Sequence, residues 1–326
     1  MCSNAKKNLG VEFLVGFETE FILLKNTNPI EAVNRHGYCN SAALASGTTE
    51  TQVLEEIADA LRIADVELHM YHSEAAPGQY EIVTGPLSPL QAADALIHTR
   101  ETIYNIASKH GLRATLAPRV FLNSCMSLRV KVLYLFILTV SLGGSGAHAH
   151  ISVHAPGRTL DASAYATLNK LEASFLAGAL EHLPAITLLA LPLTASYKRM
   201  ADGVWSGGTY VAWGIENKEI PVRLCNPDSP SSRNFEFKTL DGTANPYLVL
   251  AGVLGAGLTG IVEPKELTVQ DYSEELSHAL IGEEGRAHLG IKERFPLSWE
   301  EACSKFEEST IEIGRASCRE RVFLSV

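Results

Sequence analysis

An α+β fold in one catalytic-type domain is what this sequence predicts, and three features carry the expectation. An apolar run with a period of two near the N-terminus reads as a buried strand. Farther along, amphipathic or Gly-rich apolar segments read as helices. No internal repeat, low-complexity tract or long linker divides the 326 residues.

Taken in order, residues 11–24 (VEFLVGFETEFILL) are rich in β-branched and aromatic types and form the strand, with acidic residues set inside it. Residues 49–64 place Val53, Ile57, Ala60, Leu61 and Ala64 at helical spacing, behind Thr49 and Thr51 as candidate caps. A turn at Pro77 and Gly78 separates His72 and Glu74 from Tyr80, Glu81 and Ile82. Residues 88–111 read as a helix closed by Gly111, and LRATLAP after it as a strand. In 120–142 the apolar core from Val132 to Val140 is too short for about 30 Å of hydrocarbon, so no membrane span is expected. That segment interrupts a motif described below and reads as a retained intron. Residues 160–192 read as two helices broken near Pro184, and 245–264 as a Gly-rich packed helix.

Composition narrows the function classes. Hydrophobic residues make up 46% of the chain, enough to bury a core. The formal net charge of −10 offers no basic field for a phosphate backbone, so nucleic acid is not an expected partner. The 6 cysteines lie far apart without a C-x-x-C pair, which argues against a zinc ribbon or a disulfide scaffold and for a reducing, cytoplasmic setting. The first residues show no apolar stretch of the secretory type.

The chemistry-bearing residues recur in pairs. Glu18 and Glu20 stand at i and i+2 in the apolar strand, so alternation puts both carboxylates on one face and Phe17, Thr19 and Phe21 on the other. Burying two adjacent anions is costly unless cations compensate or one stays protonated. Glu74 and Glu81 flank the Pro-Gly turn, which can bring carboxylates from two strands to one point. His148 and His150 form a further i, i+2 pair, and Glu236 with Lys238 another. Each has an ordinary structural reading alone, as a capped turn or a strand face. Together, hard oxygen donors with a single imidazole favour Mg²⁺ or Mn²⁺ over zinc, and a site with two or more ions suits phosphoryl transfer.

In this order, GFETEF, HSEAAPGQYEI, GSGAHAHIS, SYKR and FEFKTLDGTANPYL resemble the catalytic domain of the glutamine synthetase family over roughly residues 11–312. The resemblance implies an antiparallel β-sheet half-barrel flanked by helices. It also implies ATP as nucleotide, with glutamate and ammonia or a primary amine as small-molecule substrates. One metal ion would be held by Glu20, Glu74 and Glu81, and a second, facing the nucleotide phosphates, by Glu18, Glu236 and His148. His150 would lie near the phosphates, with Gly144 and Gly146 letting the backbone approach. Arg199 matches an arginine at the substrate carboxylate and Arg223 one facing the transferred phosphoryl group.

Departures from the family pattern accompany these matches. Glu216 stands in place of a phosphate-side arginine, with Lys218 two residues on as a different cation. Lys238 replaces an arginine, which loses a bidentate contact. Trp205 occupies the place of an acidic flap residue that helps bind ammonium, and an indole suits an organic amine better. The resemblance implies a carboxylate–amine ligase, the alternative being a non-catalytic regulatory or nucleotide-binding relative. Family members form ring-shaped homo-oligomers and carry a small β-grasp domain before the E-x-E strand, which is expected to be absent from this chain. Residues 313–326 (IGRASCRERVFLSV) resemble a translated sequencing adapter and are expected to be a non-native tail.

Overall fold

A computed structural model describes residues 1–121, 144–157, 159–202, 207–273 and 281–309. The expectations for the 120–142 segment, Trp205 and the 313–326 tail therefore fall wholly or almost wholly outside the described residues.

One long strand organises the sheet. β1 (Glu12–Thr27) pairs along its first half with β6 (Ala149–His154), and along its second half with β4 (Gln79–Thr84) and β5 (Arg113–Thr115). β4 forms a hairpin with β3 (Leu68–Ser73), and β2 (Ile30–Ala32) folds back on the end of β1. Beyond β6 come β9 (Asn234–Phe237), β8 (Val222–Cys225) and β7 (Trp213–Ile215), giving the order β3-β4-β1-β6-β9-β8-β7. The sheet is open, and its described pairings are antiparallel except β7 with β8. That one parallel pair departs from a purely antiparallel half-barrel, while the α+β class holds.

Strand alternation sorts β1. Phe13, Val15 and Phe17 enter the main core with Ile151, Val153, Phe235 and Phe237, whereas Leu14, Gly16, Glu18 and Glu20 face the opposite, concave side. Helices cover the core side. α4 (Lys170–Ala190), capped by an Asn169/Glu172 capping box, packs lengthwise on α5 (Pro246–Val262), capped by Asn245, after α1 (Cys2–Leu9), α2 (Thr49–Ile63) and α3 (Pro89–Lys109). α2 and α3 pack on Phe21, Leu23, Tyr80 and Ile82 as a second core. Two short helices follow, α6 (Gly282–His288) and α7 (Trp299–Glu308).

Two local expectations are corrected. The cap of α2 is Thr48, whose hydroxyl accepts the Thr51 N–H, rather than Thr49 or Thr51. Residues 170–190 form one helix through Pro184 instead of two. The missing N–H and the ring clash weaken a helix interior, but α4 is buried against the sheet, α5 and α7 along much of its length, and that packing outweighs the local preference. α4 is also long and apolar enough to cross a membrane, with 72% of its most apolar stretch buried as a core helix.

Small residues allow the close α4–α5 approach. A Cβ on Gly260 would stand 2.1 Å from the Ser174 carbonyl oxygen, and one on Gly178 would stand 2.4 Å from that of Ala256. Elsewhere, a Cβ on Gly144 would stand 2.0 Å from the Pro118 carbonyl oxygen, so the chain leaves for the 119–143 segment and returns from it at nearly the same point.

Gly260→Val is expected to destabilise the fold by about 1–3 kcal/mol or more through overpacking. Gly255→Ala on the same helix, where the nearest neighbour is the Met1 sulfur at 3.7 Å, is expected to stabilise it by about 0.5–1 kcal/mol. Chemical denaturation of the two variants checks the pair.

Candidate active site

The concave face of the sheet lines a cavity of about 1130 Å³. Glu18, Glu20, Glu74, Glu81, His148, His150, Glu236 and Lys238 all project into it from strands β1, β4, β6 and β9 and from the residues beside them, together with Gly144, Arg199, Lys218 and Arg223. The E-x-E, H-x-H and E-x-K spacings put their members on this face for the reason that leaves Phe17, Ala149 and Phe237 in the core.

One cluster joins Glu18, His148 and Glu236, whose ligand atoms lie within 4.8 Å of one another. His148 Nδ1 is 2.7 Å from Glu18 and 3.2 Å from Glu236. His150 bridges Glu18 at 2.9 Å and the Asn234 side-chain oxygen at 2.8 Å. Glu236 also meets Arg223 at 2.6 Å and Lys238 at 3.0 Å. Burial opposes the charge of both carboxylates, but it is outweighed by His150 and His148 at Glu18, and by Lys238 and the same histidines at Glu236. Both are held below the usual carboxylate range. His150 is raised well above its ordinary value, Glu18 overcoming the burial penalty.

The second cluster forms at the β3–β4 hairpin. Glu74 and Glu81 converge with His72, which is 3.6 Å from Glu74 and 3.4 Å from Glu81. His72 is a site residue that the sequence reading left unassigned, although its H-x-E spacing to Glu74 repeats the E-x-E and H-x-H device. Glu20 stands between the clusters, one oxygen accepting from Gln79 Nε2 at 2.7 Å and the other 3.6 Å from His148 Nε2. Burial pushes Glu74 up to about 8, helped by Glu20 and Glu81. Glu81 is raised first by burial and then by Glu18 and Glu20, and the hydrogen bond to Glu81 lifts His72 to about 9.

The halves thus differ in charge. Arg223, Lys238 and two histidines compensate Glu18 and Glu236, whereas the ion pairs of Glu74 and Glu81 among the described residues come from His72. Glu74 and Glu81, with Glu20 beside them, have no Lys or Arg ion pair among the described residues, so a cation bound there would take the place of protons, and an oxygen-rich donor set of this kind suits Mg²⁺ or Mn²⁺.

The remaining predicted residues surround these clusters. A Cβ on Gly146 would stand 2.5 Å from His148 Nε2 and 2.6 Å from Arg199 Nη2, so a glycine is required there. Arg199 is 1% exposed, with its guanidinium donating to the Lys238 carbonyl at 3.2 Å and lying 3.0 Å from His148 Nε2. It forms the floor under His148. Lys218 stands at the mouth, 5.3 Å from the Tyr38 ring centre. Glu216 is exposed, at φ 52°, and accepts the Asn226 N–H at 2.8 Å.

Comparison with known proteins gives the family and the fold. The sequence matches the family description "Glutamine synthetase, catalytic domain" over residues 2–128 and 137–322. It is 35% identical to Protein fluG of Emericella nidulans, with 94% of this chain and 32% of that protein covered. It is 33% identical to Type-1 glutamine synthetase 1 of Dictyostelium discoideum, with 78% and 50% covered. It is 35% identical to a gamma-glutamylpolyamine synthetase of Streptomyces coelicolor, with 64% and 43% covered. The chain thus spans between about a third and a half of the length of these relatives. Among solved structures, a GmaS/ADP complex superposes with a TM-score of 0.75 at 22% identity, covering 95% of this chain and 66% of that one, a likeness of fold.

The raised groups set a pH dependence. A folded state that holds protons on Glu74 up to about 8 and on His72 up to about 9 binds more protons than the unfolded chain, where these groups titrate near 4.5 and 6.5. Stability of the metal-free protein is therefore expected to fall as pH rises from about 5 to about 9. Thermal melts in EDTA across that range check the slope, and added Mn²⁺ is expected to flatten it.

Proposed function

Because the chain belongs to the glutamine synthetase family, in its catalytic domain, we propose that it serves an ATP-dependent ligase joining the side-chain carboxylate of glutamate to ammonia or a primary amine. The observation that carries the reading is the convergence of Glu18, His148 and Glu236 beside Glu20, Glu74 and Glu81 in one cavity.

In this reading the γ-phosphate of ATP passes to the carboxylate oxygen with release of ADP, and the amine nitrogen then attacks the acyl carbon and expels phosphate. Glu18, His148 and Glu236 would hold one divalent ion, and Glu74 and Glu81 with Glu20 or His72 another. Such ions neutralise phosphate oxygens and orient the acceptor carboxylate. Arg223, anchored on Glu236, supplies positive charge where the phosphoryl group transfers. His150, held by Glu18 and Asn234, presents its ring to the phosphates. Arg199 fixes His148 from below, and Lys218 offers a cation at the mouth for the substrate's anionic groups. The acceptor belongs to the same proposal. A relative named for γ-glutamylpolyamine synthesis and the indole of Trp205 support an organic amine, and the glutamine synthetase relatives support ammonia. A cytoplasmic ring-shaped homo-oligomer extends the reading, on the family resemblance.

A second reading, a nucleotide-binding relative without turnover, is favoured by Lys238, which replaces a substrate-side arginine and is spent on Glu236.

ADP release by the full-length protein with ATP, Mg²⁺ and glutamate, comparing ammonium with a panel of primary amines, tests the proposal. Turnover with one acceptor supports it, and ATP binding without turnover on any acceptor moves the assignment to the second reading. Glu236→Gln and Glu81→Gln are each expected to lower kcat by about 10²-fold or more while leaving the fold intact. Circular dichroism beside the kinetics checks both halves of that expectation.

A further inference from the structure

Gln79 carries no ionisable group and belongs to no ligand cluster, yet it is 2% exposed and lines the cavity. It opens β4, opposite Ile22 of β1. Its side-chain oxygen accepts the Ala76 N–H at 2.8 Å, which settles the orientation of the amide, so the NH₂ end must point the other way. There it donates to Glu20 Oε2 at 2.7 Å, with the Gly144 carbonyl at 3.4 Å and the Ser145 hydroxyl at 3.5 Å as outer neighbours. The backbone of the same residue ties the turn together, its N–H donating to the Ala76 carbonyl at 3.1 Å and its carbonyl accepting the Glu74 N–H at 2.8 Å. One residue therefore connects the Glu20 carboxylate, the Glu74 backbone and the 144–145 segment.

We propose that Gln79 is a positioning residue, which holds one oxygen of Glu20 so that the other stays between the two clusters and serves a divalent cation at the hairpin. The inference rests on the metal reading given above and adds a specific role to a residue outside the ligand set. Glu20 lies among Glu74, Glu81 and Glu18, and like-charge repulsion would swing an untethered carboxylate away from them. Its one side-chain hydrogen bond among the described residues comes from Gln79. A neutral amide restrains the carboxylate without neutralising it, whereas a Lys or Arg there would compete with the cation. Outer partners of this kind typically change metal affinity by about 10- to 100-fold when removed.

The test uses the full-length protein freed of metal and titrated with Mn²⁺, free ion being read by electron paramagnetic resonance. Wild-type protein is expected to bind two ions. Gln79→Met, close in shape but without a donor, is expected to weaken one of them by about 10- to 100-fold and leave the other unchanged. Glu20→Gln is expected to weaken the same ion. Because Gln79 acts through Glu20, the double variant is expected to be no weaker than Glu20→Gln alone. Unchanged binding in Gln79→Met, equal weakening of both ions, or additive losses in the double variant would each overturn the positioning role. If Gln79→Met does not melt cooperatively, Gln79→Asn, which keeps the amide but withdraws it by one methylene, takes its place with the same expectation. Wild-type protein that binds no Mn²⁺ would overturn the metal reading itself, an outcome distinct from failure of the positioning role.

Discussion

Crowding of buried and half-buried carboxylates onto one face of an open sheet is the constraint to which the rest of the molecule answers. Glu18, Glu20, Glu74, Glu81 and Glu236 come from four different parts of the chain and line one cavity. Left alone, such a set would repel itself and carry a heavy desolvation cost. The protein meets this unevenly. On the Glu18/Glu236 side it supplies Arg223, Lys238, His148 and His150, so those carboxylates are ionised. At the hairpin it supplies His72, and Glu74 and Glu81 are pushed toward protonation. The uneven compensation is what makes the hairpin half a place for a cation from outside the chain.

The fold follows from that demand. A strand that must show carboxylates on one side can be held only by apolar packing on the other, and β1 alternates Phe13, Val15 and Phe17 with Leu14, Gly16 and Glu18 accordingly. α4 and α5 press together at Gly178, Gly257 and Gly260 to form a stiff backing. Rigid backing matters because a site of convergent like charges works only if its strands cannot splay. The Pro77-Gly78 turn serves the same end. Gly78, at φ 64°, tucks under the Leu23 carbonyl, where a Cβ would come within 2.7 Å.

Much of this was legible in residue order. Period-two alternation located β1 and the shared face of Glu18 and Glu20, and the paired spacings E-x-E, H-x-H and E-x-K marked residues that the structure places in or beside β1, β6 and β9. What alternation cannot state is which pairs meet. That depends on register: Glu20 opposite Glu81 and His150 opposite Glu236 are facts of strand pairing set by turns and packing. His72 escaped notice because a histidine next to a turn has an ordinary reading until register places it opposite Glu81. Gln79 escaped because its role depends on which way a buried amide points. The break expected at Pro184 failed for a different reason, since local propensity yields where a helix is packed along its length.

The central claim is that these carboxylates converge to hold divalent cations. Anomalous diffraction at the manganese edge from crystals grown with Mn²⁺ tests it most directly. The account predicts two peaks in the cavity, one among Glu18, His148 and Glu236 and one at the hairpin within reach of Glu74 and Glu81. A cavity without anomalous density at saturating Mn²⁺, its carboxylates still paired with His72, His148, His150, Arg223 and Lys238, would contradict it.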